Sequence, residues 1–132
     1  MSQGRGEFDI IRTYFTKAAR DNSVRLGVGD DAALLAVPLQ HELVVTTDTL
    51  VSGRHFPENT SPFDIAWKSL AVNLSDLAAM GAEAKWVTLA ITLPTNDEYF
   101  LQEFARGFFA LAEQTHVSLV GGDTTRGPLR IT

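Results

Sequence analysis

Apolar positions recur along this chain with two periods, and the switches between them set the expected order of elements. Over residues 7–19, Phe8, Ile11, Phe15 and Ala18 fall on one face at helical spacing, which predicts an amphipathic helix broken by Asp21-Asn22-Ser23. Val24 to Val28 reads as a short extended piece leading into the tight loop Gly29-Asp30-Asp31. Ala33–Val37 reads as a strand ended by Pro38, and residues 42–48 as a strand in which Leu43-Val44-Val45 runs into Thr46-Thr47-Asp48. At Asn59-Thr60-Ser61-Pro62 a long helix opens, with Ser61 as cap and Pro62 in the first turn. It is expected to reach about Met80, where Gly81 stops it. Phe63, Ala66, Trp67, Leu70, Ala71, Leu74, Leu77 and Ala78 form its apolar stripe. Asp64 and Lys68 are placed on the opposite, solvated side as an i,i+4 pair. Ser69, Asn73 and Asp76 make a third, polar face beside the core.

Residues 85–93 change the period to two. Val87, Leu89, Ile91 and Leu93 point one way; Trp86, Thr88, Ala90 and Thr92 point the other. Thr95-x-x-Glu98 has the form of a capping box, and the helix it opens buries Leu101, Phe104, Ala105, Phe108, Leu111 and Ala112 before ending near Gln114. Residues 116–120 predict a strand running into Gly121-Gly122-Asp123-Thr124-Thr125-Arg126-Gly127, and another strand begins at Pro128. The sum is an α+β fold: a four-stranded mixed sheet with two helices on one face, plus an N-terminal helix and extended segment. The Thr88/Ala90/Thr92 face stays open and suits packing against a second copy or a further domain. The sequence stops inside a strand, which suggests truncation.

Composition narrows the picture. The 132 residues, 45% hydrophobic, suit one globular domain. A net charge of −5 without a basic run argues against nucleic acid as a partner. The absence of cysteine excludes disulfides and thiolate chemistry and suits a reducing cytoplasm. The N-terminus lacks the apolar core of a signal peptide, and no apolar run is long enough to span a bilayer.

Four acidic points sit at element ends: Asp30-Asp31, Asp48, Asp76 and Asp123. Each alone is also what a turn or cap uses. Together, with the hydroxyls of Thr46 and Thr47 and without cysteine, they suit hard Mg²⁺ ions, which share their shell with phosphates of a ligand such as a nucleotide. In-line phosphoryl transfer is the chemistry such a cleft supports. Gly27-Val28-Gly29-Asp30-Asp31-Ala32 imitates a dinucleotide fingerprint, but two carboxylates would face the pyrophosphate and Pro38 leaves no room for the helix. No P-loop motif occurs. Gly121-Gly122-Asp123 either lets a nucleotide approach the backbone or makes a tight turn between strands. His55 either meets a substrate phosphate or caps its loop; His41 and His116 read as structural. Arg54 and Arg126 are either phosphate contacts or solvated side chains.

Four runs carry a family resemblance: Gly27-Val28-Gly29-Asp30-Asp31; Thr46-Thr47-Asp48-Thr49-Leu50-Val51 with Gly53-x-His55-Phe56; Trp67 to Gly81; and Gly121-Gly122-Asp123-Thr124-Thr125. In order and spacing they resemble bacterial thiamine-monophosphate kinase, whose relatives include aminoimidazole ribonucleotide synthetase and selenophosphate synthetase. The resemblance implies ATP-dependent phosphorylation of thiamine monophosphate to thiamine diphosphate with several Mg²⁺ ions. It assigns Asp31, Thr46, Thr47, Asp48, Asp76 and Asp123 as metal ligands, Gly122 and Asp123 to ATP, and His55 to the substrate. No catalytic side chain is implied, because the phosphate acceptor is already an anion. The resemblance also implies a homodimer packed through the sheets. Residues 1–132 would be the N-terminal metal- and ATP-binding domain, weak or inactive alone, because the family has a further C-terminal domain. Ala105 stands where some members place a tyrosine near the nucleotide. The alternatives are another ATP-dependent enzyme of the same superfamily, or a non-catalytic nucleotide-binding or dimerisation module.

Overall fold

The computed structural model describes residues 6–17 and 22–132, without the side chains of Glu7 and Phe8. Helix α1 (Glu7–Tyr14) is shorter than its apolar period predicts. The Thr16 hydroxyl and the Phe15 amide both donate to the Ile11 carbonyl at 3.0 Å, which closes the last turn and ends the helix. Phe15 is buried, with its ring edge-on to Phe104 at 6.3 Å. Ala18 and Asp21, the expected continuation and break, lie outside the described residues.

Strands β1 (Val24–Leu26) and β2 (Leu34–Leu35) form a small antiparallel pair. The second sheet has the order β3-β6-β4-β5, where β3 is Leu50–Val51, β4 Trp86–Leu93, β5 Ser118–Arg126 and β6 Arg130–Ile131. It is mixed: β4 and β5 run parallel, while β6 is antiparallel to both β3 and β4. The strand expected over residues 42–48 is not formed. Leu50 pairs with Ile131 and Val51 with Arg130, so the same register sets Thr49 beside Thr132, the last residue of the sequence. Their hydroxyls are 2.9 Å apart. Residues 42–48 carry no strand pairing, and Leu43 and Val45 are exposed.

Helix α2 (Pro62–Ala79) matches its sequence signals. Ser61 Oγ accepts from the Asp64 amide at 3.2 Å, and Gly81, at φ +70°, takes the left-handed turn after the helix. Helix α3 (Glu98–Thr115) starts differently from its capping-box form. Asp97 is the cap, its carboxylate accepting from the amides of Tyr99 and Phe100 at 2.9 and 3.3 Å. A carboxylate there also meets the positive end of the helix dipole. The two helices cross closely at Gly107, where any Cβ would collide with the Phe63 backbone.

One hydrophobic cluster joins Ile65, Ala66 and Leu70 of α2, Phe104 and Phe108 of α3, and Leu89 and Ile91 of β4. Leu89, Ile91 and Leu93 are buried as their alternation predicts, while Thr88, Ala90 and Thr92 remain accessible. Trp86, on that second row, donates from Nε1 to Ser23 Oγ at 2.9 Å. In α2 the apolar stripe is shifted: Ile65 and Ser69 are buried and Ala78 is exposed.

Candidate functional site

The Gly-Gly-Asp motif lies inside β5, not in a turn between strands. Along the β4–β5 pair, Val87 faces Leu119 but Thr88 faces Gly121, so Val120 is an extra residue in β5. Such a bulge re-aims the residues that follow it. Gly122 then passes Leu89 so closely that a Cβ would collide with the Leu89 carbonyl, and its φ of +148° is a region side chains rarely adopt. Its presence is a steric requirement of the sheet itself. Asp123, next along, is exposed opposite Ala90.

Three clefts hold the residues singled out from sequence. The first, of about 390 Å³, is lined by Asp48, His55, Lys68 and Asp76 together with neighbours on α2 and β3. The second, of about 270 Å³, takes Thr46, Thr47 and Asp48 on one side and Asn73, Thr88 and Gly122 on others. The third, of about 130 Å³, brings Asp30 and Asp31 of the β1–β2 loop to Gly122 and Asp123, over an apolar floor that includes Phe15 and Leu89. Asp48 is common to the first two clefts and Gly122 to the last two. The acidic residues thus fall into two groups, Asp48 with Asp76 and Asp31 with Asp123.

Among the described residues, no three His, Cys, Asp or Glu side chains gather closely enough to hold a metal ion. The pair at the first cleft is nonetheless under electrostatic load. Asp48 is held above its ordinary carboxyl value, first by partial desolvation, then by its hydrogen bond to Asp76 and the repulsion between them; His55 acts in the opposite sense. A divalent cation would relieve that load. The carboxylates of Asp48 and Asp76, with the hydroxyls of Thr46 and Thr47 beside Asp48 in the second cleft, are hard oxygen donors, which fits Mg²⁺ completed by water or ligand phosphate.

The third polar face of α2 is only partly directed at the site. Ser69 Oγ donates to the Ile65 carbonyl at 2.7 Å, and Asn73 Nδ2 to the Ser69 carbonyl at 2.9 Å, so both side chains fold back on their own helix. Asp76 alone of the three reaches the first cleft.

His55 sits in a tightly closed loop. The Val51 carbonyl accepts from the amides of Arg54 and His55, the Gly53 amide donates to the Phe56 carbonyl at 2.8 Å, and Phe56 is buried beneath. The Val51 amide donates to His55 Nδ1 at 2.9 Å, so the neutral ring carries its proton on Nε2. His55 caps its loop through one nitrogen and also lines the cleft, so the loop-capping role does not compete with a ligand-facing one.

Lys68 is misplaced by the sequence reading. Its Nζ donates to the His55 carbonyl and lines the first cleft instead of pairing with Asp64 on a solvated side. The signal was available in the spacing: Lys68, Val72 and Asp76 follow at steps of four, so a helix that turns Asp76 toward the cleft brings Lys68 with it. His41 and His116 stay outside all three clefts. His116 caps α3 in the left-handed conformation at φ +59°. Arg54 and Arg126 do not line them either.

Comparison with known proteins gives these clefts a family. Over 128 residues the chain is 51% identical to the thiamine-monophosphate kinase of Haemophilus influenzae and 52% identical to that of Escherichia coli. Each match covers 96% of this chain and 39% of the relative, so the chain spans about two fifths of the relatives' length. A crystal structure of thiamine-monophosphate kinase from Stenotrophomonas maltophilia superposes with a TM-score of 0.80 at 58% identity, covering 85% of this chain and 35% of that one. A structure of AaThiL complexed with AMPPCP and TMP gives 0.61 at 31%, covering 65% and 28%. The model of the AIR synthase related protein N-terminal domain matches residues 29–132, and the chain belongs to that family.

Proposed function

We propose that this chain is the N-terminal metal- and ATP-binding part of a thiamine-monophosphate kinase, acting in thiamine diphosphate biosynthesis. The observation that carries the reading is the first cleft, where Asp48 and Asp76 face each other beside His55. The relatives' names and the bound pair AMPPCP and TMP in AaThiL support it. In the reaction a phosphate oxygen of thiamine monophosphate bonds to the terminal phosphorus of ATP, the bond from that phosphorus to the bridging oxygen breaks, and ADP leaves. Mg²⁺, when bound, neutralises charge on the phosphate oxygens.

Each residue has a defined part in that reading. Asp48 and Asp76, with Thr46 and Thr47, hold Mg²⁺ at the first and second clefts, and Asp31 and Asp123 hold it at the third. Gly122 and Asp123 border the nucleotide. His55 offers its Nε2 proton to an oxygen of the acceptor phosphate. No general base is required, since the acceptor is already ionised. The clefts meet at Asp48 and Gly122, which lets one bound nucleotide span them.

A homodimer through the open sheet face, a cytoplasmic setting and weak activity of residues 1–132 alone belong to the same proposal. The accessible Thr88 row and the exposed Leu34, Leu39, Leu43 and Val45 support the dimer. Among the described residues no helix is long and apolar enough to cross a membrane. The test is thiamine diphosphate formation from ATP and thiamine monophosphate by the intact protein that carries this chain, beside an Asp48→Asn variant. Mg²⁺-dependent product that disappears in the variant is expected. A folded, ATP-binding protein that makes none would refute the substrate.

A further inference from the structure

We propose that Lys68 positions His55, and that it thereby sets the affinity of the first cleft for a phosphorylated acceptor. The proposal rests on the kinase reading above for the identity of that acceptor. Its geometry is independent of it. Lys68 reaches from α2 to the loop and donates from Nζ to the His55 carbonyl. The Val51 amide holds Nδ1 of the same residue at 2.9 Å. Beyond its amide, which donates to the Val51 carbonyl, His55 is therefore held at two further points, one on its main chain by a different element and one on its ring by the loop itself.

Both points matter because His55 is exposed and Gly53, within the loop, sits at φ +81°. Phe56 anchors the far end of the loop in the core, but nothing in that anchor fixes the imidazole. With the carbonyl held, the ring stays on the Val51 amide and its proton stays on Nε2. An ammonium carries three donors and no acceptor, and only one is spent on the carbonyl. Among the described residues, Lys68 is also the one lysine or arginine lining the cleft, where Asp48 and Asp76 would otherwise present an anionic wall to an anionic substrate. The same side chain thus orients the donor and tempers the field it works in.

The test compares Lys68→Met, which keeps the apolar stem without donor or charge, with Lys68→Arg, which keeps both, in the intact protein. Two readouts are taken: steady-state kinetics with each substrate varied, and the imidazole nitrogen spectrum of His55. Lys68→Met should raise KM for thiamine monophosphate about tenfold, the scale of one lost charged hydrogen bond, with kcat and the ATP KM within about twofold. Its His55 signal should move from the Nε2–H tautomer to a mixture, and Lys68→Arg should restore both. An unchanged His55 signal in Lys68→Met overturns the proposal whatever happens to KM, since Lys68 would then act on the substrate directly or on nothing. A parallel rise in both KM values together with a fall in Tm also overturns it, as a purely structural role. If the unsubstituted protein forms no thiamine diphosphate, the kinase reading fails alone, and the imidazole spectrum still decides whether Lys68 positions His55.

Discussion

Replacing Gly122 with alanine separates a steric requirement from a ligand contact. The glycine is the second residue after the bulge in β5, at φ +148°, with the Leu89 carbonyl of β4 in the space a Cβ would occupy. The added methyl has backbone as its neighbour, so no side chain can swing away. Either the two strands part or β5 rotates, and both loosen the longest strand pairing in the fold. Overpacking of this kind costs about 1–3 kcal/mol. Forcing a side chain into that sparsely populated backbone region adds about 1–2 kcal/mol. The expected loss is about 2–5 kcal/mol. At roughly 2.1 cal/mol/K per residue, 132 residues have an unfolding entropy of about 0.28 kcal/mol/K. Tm should therefore fall by about 7–18 °C, measured by thermal unfolding without nucleotide. Gly121→Ala is the control, since a Cβ there meets nothing within 4 Å, and its Tm should stay within about 3 °C. If Gly122→Ala also stays within about 3 °C, the steric reasoning is refuted and the glycine has to be explained by what binds beside it.

Two further changes test the frame around the site. Phe104 is fully buried, edge-on to Phe15 and stacked on Phe100 at 5.9 Å, so Phe104→Ala should cost about 3–5 kcal/mol in denaturant unfolding. Glu103 is held below its ordinary carboxyl value, first by the hydrogen bond from Arg106, which outweighs an opposing effect of desolvation; that cation's attraction adds the smallest contribution. A depressed carboxyl stabilises the fold above its unfolded value and loses that contribution as pH falls through the folded value. Glu103→Gln should therefore flatten the acid limb of Tm against pH between about pH 6 and 3, and an unchanged limb would discount the pair.

The long elements were legible in the sequence because their local and tertiary signals agree. Ser61-Pro62 and Gly81 mark the ends of α2, and the alternation through Leu89, Ile91 and Leu93 is the buried row of β4. Disagreement came where a short-range signal had a competitor. The hydroxyl of Thr16 turns back to the Ile11 carbonyl, which already accepts from the Phe15 amide, and the helix stops there instead of following its apolar period. Asp97 lies nearer the first turn of α3 than the box that begins at Thr95, and it carries the stronger acceptor. Gly121-Gly122 has the composition of a turn, yet the pair is continuous strand, because the requirement for glycine comes from β4 and not from chain reversal. No local pattern contains the position of Leu89.

The candidate site was legible residue by residue but not as a geometry. Asp48 and Asp76 come together because the segment that leads into β3 and helix α2 line one cleft, a long-range meeting that spacing cannot express. Asp31 and Asp123 border a separate cleft, lined by the β1–β2 loop and by β5 past its bulge at Val120. Lys68 shows the limit most clearly. A cation four residues after an aspartate on a helix reads as a surface pair, a contact worth only a few tenths of a kcal/mol. A carbonyl in a closed loop competes easily with an interaction that weak. The face of a helix on which such a side chain works is then decided by what the fold sets opposite it, and here that is the loop carrying His55.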